Sequence, residues 1–289
     1  MAAHVPSGEA ALASAKDMLT EEQCRHFHTN GYLSLPMLAT PDEVEALRVT
    51  YARLFDRRAG WDEGNFIDFA GLNDEKPCVP QILMPSLYEP ALRTSALHER
   101  CLTIARQLMG PAAEFHFDHA ITKPAQGGPP TPWHQDMSFY TRTTTHRTIT
   151  FWIALQGVSR DDGCLRFVPG SNLGPLLKHR HLHDDPRIHA LEAVGVNEAS
   201  AVYCPLPPGG ATIHHNMTLH GADANTSDTA RWAYAIGFGV RSPARVVPRE
   251  FPWNRTSRTA RSARFAASLP VRARLRYLVC SALVRLHLL

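Results

Sequence analysis

The sequence predicts a mainly β protein with flanking helices, built around an antiparallel jelly roll. Two observations carry that expectation. Helical spacing with capping signals runs to about Gly110, and from Glu114 to about Val240 the chain becomes short β runs separated by Gly, Pro, Asn and Asp. The 289 residues, 44% hydrophobic and 20% charged, can bury one sizeable core or two modest ones, and one enlarged domain over residues 19–240 is the simpler reading.

Residues 1–18, rich in Ala and Ser, read as a flexible leader. Thr20 and Gln23 form a capping box for a helix over EEQCRHFHTN, which Gly31 ends. Thr40 caps a second helix, with Pro41 in its first turn. Residues 56–80 are polar and Gly-containing, and read as a long loop near the site. A third helix covers about PALRTSALHERCLTIARQLMG and stops at Gly110. The β runs are EFHFDHAIT, HRTITFWIALQGV, GCLRFVPGS, GGATIHH and RWAYAIGFGV. A barrel of such strands can hold a small ligand in its mouth.

Composition narrows the function classes. The six cysteines form no CxxC pair and no signal peptide opens the chain, so a cytoplasmic protein with free thiols is expected. No apolar run reaches the roughly 18 residues that cross a bilayer. The net charge of +3 is uneven: residues 241–289 hold eleven arginines and one acid, +10, which leaves −7 for the first 240. This basic extension reads as helical, in its plainest form a packed helix with a solvated basic face. Peripheral membrane binding or self-association are its functional readings. Nucleic acid is not an expected partner, because the extension lacks the interleaved aromatics of a single-strand groove.

Histidines raise the question of a metal. In an extended segment residues i and i+2 point the same way, so a His-x-acid triplet can close on one ion. One or two triplets are expected by chance from 16 histidines and 27 acids. Three occur: His116-x-Asp118, His134-x-Asp136 and His183-x-Asp185. His183 sits in a charge-dense stretch that reads as a surface loop, and His116 in a strand that reads as having one polar face.

The segments KPAQGGPPTPWHQD, DDGCLRFVPGS and LHGADANTSDTAR, together with the entry FHTNGYLSL, resemble the phytanoyl-CoA dioxygenase family of iron(II)- and 2-oxoglutarate-dependent oxygenases. The likeness runs from about Leu19 to Val240. It implies a double-stranded β-helix, cupin-like core, with His134, Asp136 and His220 as ligands of Fe(II). Three protein ligands leave three octahedral positions for bidentate 2-oxoglutarate and O2. His214 and His215 are expected as neighbours rather than ligands. The arginine eleven residues after the distal histidine, here Arg231, grips the far carboxylate of 2-oxoglutarate in the family.

Alternation in the strands supports this separately. In RWAYAIGFGV, the residues sharing a face with Arg231 are Ala233, Ala235, Gly237 and Gly239, so the arginine's side is emptied of bulk. A guanidinium there suits a bidentate grip on a carboxylate. In TITFWIAL, Trp152 stands among Thr148, Thr150 and Ala154, as an indole that shapes a pocket, and the Thr150 hydroxyl is placed to reach the same carboxylate as Arg231. Gln81 and Lys123 are further candidates for co-substrate contact, and Asn65, Phe66, Asp68, Phe69 and Asn73 for the pocket rim. Two positions depart from the family: Ala222 stands where a Ser often contacts the co-substrate, and Asn172 where a His is common. The presence of Asp136 disfavours halogenation, since halogenating relatives lack that carboxylate.

The resemblance implies hydroxylation of an unactivated C–H of a small natural-product or lipid-like substrate, with release of succinate and CO2. An acyl-CoA hydroxylase of the same family is the nearest alternative. Of another class, the same ligands suit Zn2+ in a hydrolase, and a non-catalytic cupin-like binding module would act through its basic tail.

Overall fold

The computed structural model describes residues 18–72, 75–140, 147–240 and 251–285. The expected leader lies outside the described residues except for Met18, as do Asn73 and positions 241–250 of the basic extension.

The first two helices start where their caps place them. Thr20 accepts from the Gln23 N–H and Gln23 reaches back to the Thr20 N–H, opening α1 (Glu21–Asn30), which Gly31 ends at φ 79°. Thr40 and Glu43 repeat the box at α2 (Pro41–Asp56). The third helix is shorter than expected: Pro90–Arg93 is a separate 3-10 turn, and α3 (Ala96–Met109) starts afresh where the Ser95 hydroxyl accepts from the His98 N–H. A serine competes for backbone hydrogen bonds inside a periodic run, so it restarts a helix more readily than it continues one. The region expected as loop, 56–80, also contains a strand.

The strands are β1 (Tyr32–Leu35), β2 (Phe66–Asp68), β3 (Pro80–Leu83), β4 (Glu114–Lys123), β5 (Thr131–His134), β6 (Arg147–Ala154) and β7 (Leu165–Phe167). They continue with β8 (His179–His181), β9 (Leu191–Ala193), β10 (Val202–Tyr203), β11 (Ala211–His215), β12 (His220–Ala222) and β13 (Arg231–Val240). One sheet runs β1-β11-β6-β13-β4-β3-β2, a second runs β10-β7-β12-β5, and β8 pairs with β9. All named pairings are antiparallel. The sheet-rich architecture with helices outside is the one expected.

The faces of the larger sheet have separate tasks. Ile149, Phe151, Ile153, Ile213, Tyr234, Ile236 and Phe238 join Leu47, Tyr51 and Leu54 of α2 and Leu97, Cys101 and Ile104 of α3 in the main core. Trp152, Ala154, Ala233 and Ala235 point the other way, toward Leu165, Phe167 and Ala222 of the smaller sheet. Alternation along β6 and β13 predicts this division, and the interior between the sheets is where functional groups collect. Three helices follow the barrel: α4 (Pro252–Thr256), α5 (Ala260–Ser268) and α6 (Val271–Arg285). Among the described residues, no helix is long and apolar enough to cross a membrane.

Asp118 ties the helical side together. It is fully buried and accepts from the Ser86 N–H at 3.2 Å, the Ser86 hydroxyl at 3.0 Å and the Tyr234 hydroxyl at 2.9 Å. Burial pushes its carboxyl up to about 6, against hydrogen bonds that favour the ionised form. A native value above the unfolded one means that ionisation opposes folding, so stability falls as pH rises from about 4 through about 6. Asp118→Asn can keep all three hydrogen bonds and is expected to flatten the pH dependence of Tm across that window. Asp118→Ala orphans the partners and is expected to cost about 2–3 kcal/mol in denaturant melts.

Candidate metal and co-substrate site

Strand pairing brings the two histidines together. In β12 against β5, His220 is the cross-strand partner of His134, and their ring centroids are 4.1 Å apart. Gly221 permits that approach: a Cβ there would lie 2.9 Å from the Thr131 carbonyl oxygen. His134 Nδ1 lies 2.8 Å from the Pro132 carbonyl and His220 Nδ1 lies 2.9 Å from the Thr218 carbonyl. Carbonyls only accept, so each Nδ1 carries the proton and each Nε2 lone pair is free. Those Nε2 atoms lie 3.6 Å and 3.5 Å from Asp136 Oδ1. Asp136 opens the 3-10 turn Asp136–Phe139 directly after β5, and one donor atom from each of the three residues falls within 4.8 Å of the others. Two neutral imidazoles and a carboxylate fit a divalent transition ion with open positions.

The two oxygens of Asp136 are differently engaged. Oδ1 faces the histidine pair, whereas Oδ2 accepts from the Thr150 hydroxyl at 3.0 Å and lies 3.3 Å from His214 Nε2. Burial alone would raise this carboxyl, but His220, His134 and His214 outweigh it and hold it well below the usual carboxylate range. Burial likewise holds His220 well below its ordinary value, so it stays neutral as a ligand must. Thr150 thus sits on the carboxylate of Asp136, not on the far-carboxylate side where the sequence suggested it. His214 is closer to the centre than expected. Its signal was present in the sequence: with Ile213 in the main core, the next residue of β11 must face the interior.

Gln135, between the two candidate ligands, has its own partners. Its N–H donates to His179 Nε2 at 3.2 Å, its amide donates to the Met217 carbonyl at 2.8 Å, and its Oε1 accepts from the Leu177 N–H at 2.8 Å. These bonds to two other loops orient the triplet, and nothing in sequence spacing announces them.

Deeper in the barrel, Arg231 and Lys123 are cross-strand partners on β13 and β4. Arg231 is 2% exposed, donates to the Gly163 carbonyl at 2.7 Å and places its guanidinium 4.9 Å from the Trp152 ring centroid. Burial lowers it to about 10, so it remains charged at neutral pH. Lys123 is fully buried with Nζ donating to the Asp223 carbonyl at 2.7 Å, and burial, then the Arg231 charge, lower it to about 6. A buried guanidinium beside a buried amine, with no carboxylate bonded to either among the described residues, is arranged for an anion that enters from outside, and such an anion would also favour the protonated form of Lys123. Gln81, the partner of Ile121, faces the same interior, and its amide has no hydrogen-bond partner among the described residues.

The other triplets do not form sites. A register shift between Gly237 and Phe238 places the extra residue of a β-bulge at His116, so it does not share a face with Asp118: its ring meets Tyr140, while Asp118 points into the helical side. Asp185 is held by Arg187 at the surface. Of the proposed rim residues, Phe66 lies in the main core and Asp68 caps the Cys78 and Val79 amides, while Phe69 packs against Phe139 and His189 and Asn65 donates to the Tyr88 hydroxyl.

Comparison with known proteins agrees with this geometry. The model for the family described as phytanoyl-CoA dioxygenase matches residues 27–233. A probable alpha-ketoglutarate-dependent hypophosphite dioxygenase of Stutzerimonas stutzeri is 27% identical over 227 residues, covering 76% of this chain and 78% of that protein. The bovine peroxisomal phytanoyl-CoA dioxygenase is 23% identical, covering 82% and 76%. Among solved structures, EvdO2 from Micromonospora carbonacea var. aurantiaca, complexed with 2-oxoglutarate, aligns with TM-score 0.70 and 34% identity, covering 82% of this chain and 97% of that one.

The Thr150 hydroxyl offers a direct test of how Asp136 is oriented. Thr150→Val is expected to weaken Mn(II) binding by about tenfold, read by titration under electron paramagnetic resonance, with little change in Tm.

Proposed function

The chain belongs to the phytanoyl-CoA dioxygenase family and is an iron(II)- and 2-oxoglutarate-dependent oxygenase, and from that premise we propose that it hydroxylates an unactivated C–H of a small natural-product or lipid-like substrate. The observation that supports the residue assignment best is the convergence of both free Nε2 atoms on Asp136 Oδ1, in the same interior that Arg231 faces. On this reading His134, Asp136 and His220 hold the iron. Bound there, iron(II) with 2-oxoglutarate and O2 supplies the oxidant for the C–H bond, and succinate and CO2 are released.

The protein's own groups do the positioning. The carbonyls of Pro132 and Thr218 hold the imidazole tautomers, and Thr150 with His214 occupies Asp136 Oδ2, leaving Oδ1 for the ion. Arg231, with Trp152 beside its guanidinium, would hold the far carboxylate of 2-oxoglutarate. Lys123 adds a second donor, and the buried amide of Gln81 adds to the polar lining. Ala222 and Cys164 close the small-sheet side with apolar surface, which keeps water from the co-substrate. A hydrolytic zinc centre would give the Arg231 and Lys123 pair nothing to bind.

Anaerobic addition of Fe(II) and then 2-oxoglutarate is expected to give a weak visible charge-transfer band. The band disappears in His220→Ala. In Arg231→Lys, which keeps charge but loses the fork, 2-oxoglutarate affinity drops about tenfold or more. A band that persists in His220→Ala at unchanged iron affinity refutes the ligand assignment.

A further inference from the structure

The C-terminal extension is attached to the turn that carries Asp136. Trp253 Nε1 and Asn254 Nδ2 both donate to the Ser138 carbonyl, at 3.0 Å and 3.1 Å, and Ser138 lies two residues beyond Asp136. His181 Nε2 lies 2.8 Å from the Trp253 carbonyl, and the Arg258 N–H donates to the Pro186 carbonyl at 2.7 Å. On β2, Arg264 donates to the Phe66 carbonyl at 2.5 Å. The backbone of α5 presses so closely on Gly64 that a Cβ there would lie 2.6 Å from the Arg261 carbonyl oxygen. The start of α5 is therefore packed against β2 and the segment before it, and α4 against the turn that follows Asp136.

Arg261, in the first turn of α5, has no carboxylate partner among the described residues. Burial lowers its pKa, its charged state is influenced by the phenols of Tyr277 and Tyr88, and its buried Nε has no hydrogen-bond partner among the described residues. Two other nitrogen-bearing side chains stand nearby. His119 is the cross-strand partner of Ala235 and Leu83, so it faces the interior. His189 stacks on Phe139 at 5.8 Å, and Phe139 meets the His134 ring at 5.7 Å. Neither imidazole has a hydrogen-bond partner among the described residues, and both are half-buried. Burial pulls His119 down to about 4, with Asp136 opposing and Arg261 adding to the shift, and burial followed by the Arg261 charge pulls His189 to about 3. Both are therefore neutral at physiological pH, and Arg261 is the fixed cation of the three.

We propose that Arg261, flanked by His119 and His189, is a substrate subsite for an anionic group, and that the substrate carries a carboxylate or phosphate on an apolar body. A partly buried guanidinium with no carboxylate partner among the described residues is costly unless a ligand neutralises it. Its planar fork matches either oxyanion, and the neutral imidazoles offer further donors to it or to neighbouring hydroxyls. Phe69, Phe139 and Phe117, whose ring lies 5.0 Å from His119, supply the apolar surface between the anion and the metal centre. This subsite rests on the oxygenase reading and adds its substrate class. It is separate from the Arg231 end of the barrel, which takes the co-substrate.

The test uses the full-length protein loaded with Mn(II) and saturating 2-oxoglutarate, titrated calorimetrically with phenylbutyrate, phenyl phosphate and neutral phenylbutanamide. At least one acid is expected to bind about tenfold or more tightly than the amide, and Arg261→Gln to bring that acid down to the level of the amide. Arg261→Lys, which keeps the charge, is expected to retain part of the difference. Which acid responds distinguishes carboxylate from phosphate. Equal binding of acid and amide, unchanged acid binding in Arg261→Gln, or no binding of either acid overturns the proposal. Failure of the wild type to bind 2-oxoglutarate overturns the oxygenase reading instead, and thermal melts of each variant show that it is folded.

Discussion

The pairing of β12 with β5 is the constraint on which the site depends. It sets His220 opposite His134, and it closes only because Gly221 has no side chain to meet the Thr131 carbonyl. Everything else at the centre refines that meeting. The i−2 carbonyls choose the imidazole tautomers, the turn after β5 delivers Asp136 between the rings, and Gln135 anchors the turn from behind.

A second theme is how the barrel keeps its charges apart. Asp136 lies toward the opening, held by three histidines and a threonine, while Arg231 and Lys123 lie deeper, against backbone carbonyls of Gly163 and Asp223. An acid and a base at salt-bridge distance would neutralise one another and leave little for ligands. Held on backbone carbonyls instead, the Arg231 guanidinium and the Lys123 amine keep their capacity for an anion.

Much of this was legible in the sequence because strand period and local caps are local properties. The emptied face beside Arg231 and the lone Trp152 can be read from alternation alone, and both face the interior. The capping boxes at Thr20 and Thr40 likewise need only four residues of context. What was not legible depends on long-range contacts. The bulge at His116 is a property of two strands, the bond from Thr150 to Asp136 joins two elements, and the docking of α4 and α5 joins residues more than a hundred positions apart. His119 and His189 carry no motif at all, and only the fold brings them near Arg261.

The carbonyl-held imidazoles have a consequence for metal identity. Because the donor atoms are set by paired backbone before any ion arrives, coordination asks for almost no rearrangement, and the protein has little means of rejecting an ion by refusing to change shape. Two imidazoles and one carboxylate bind copper, nickel and zinc at least as well as iron by intrinsic affinity. The ion that fills the site is thus chosen by which metals the surroundings leave available, and a protein produced where zinc is abundant would be occupied yet silent.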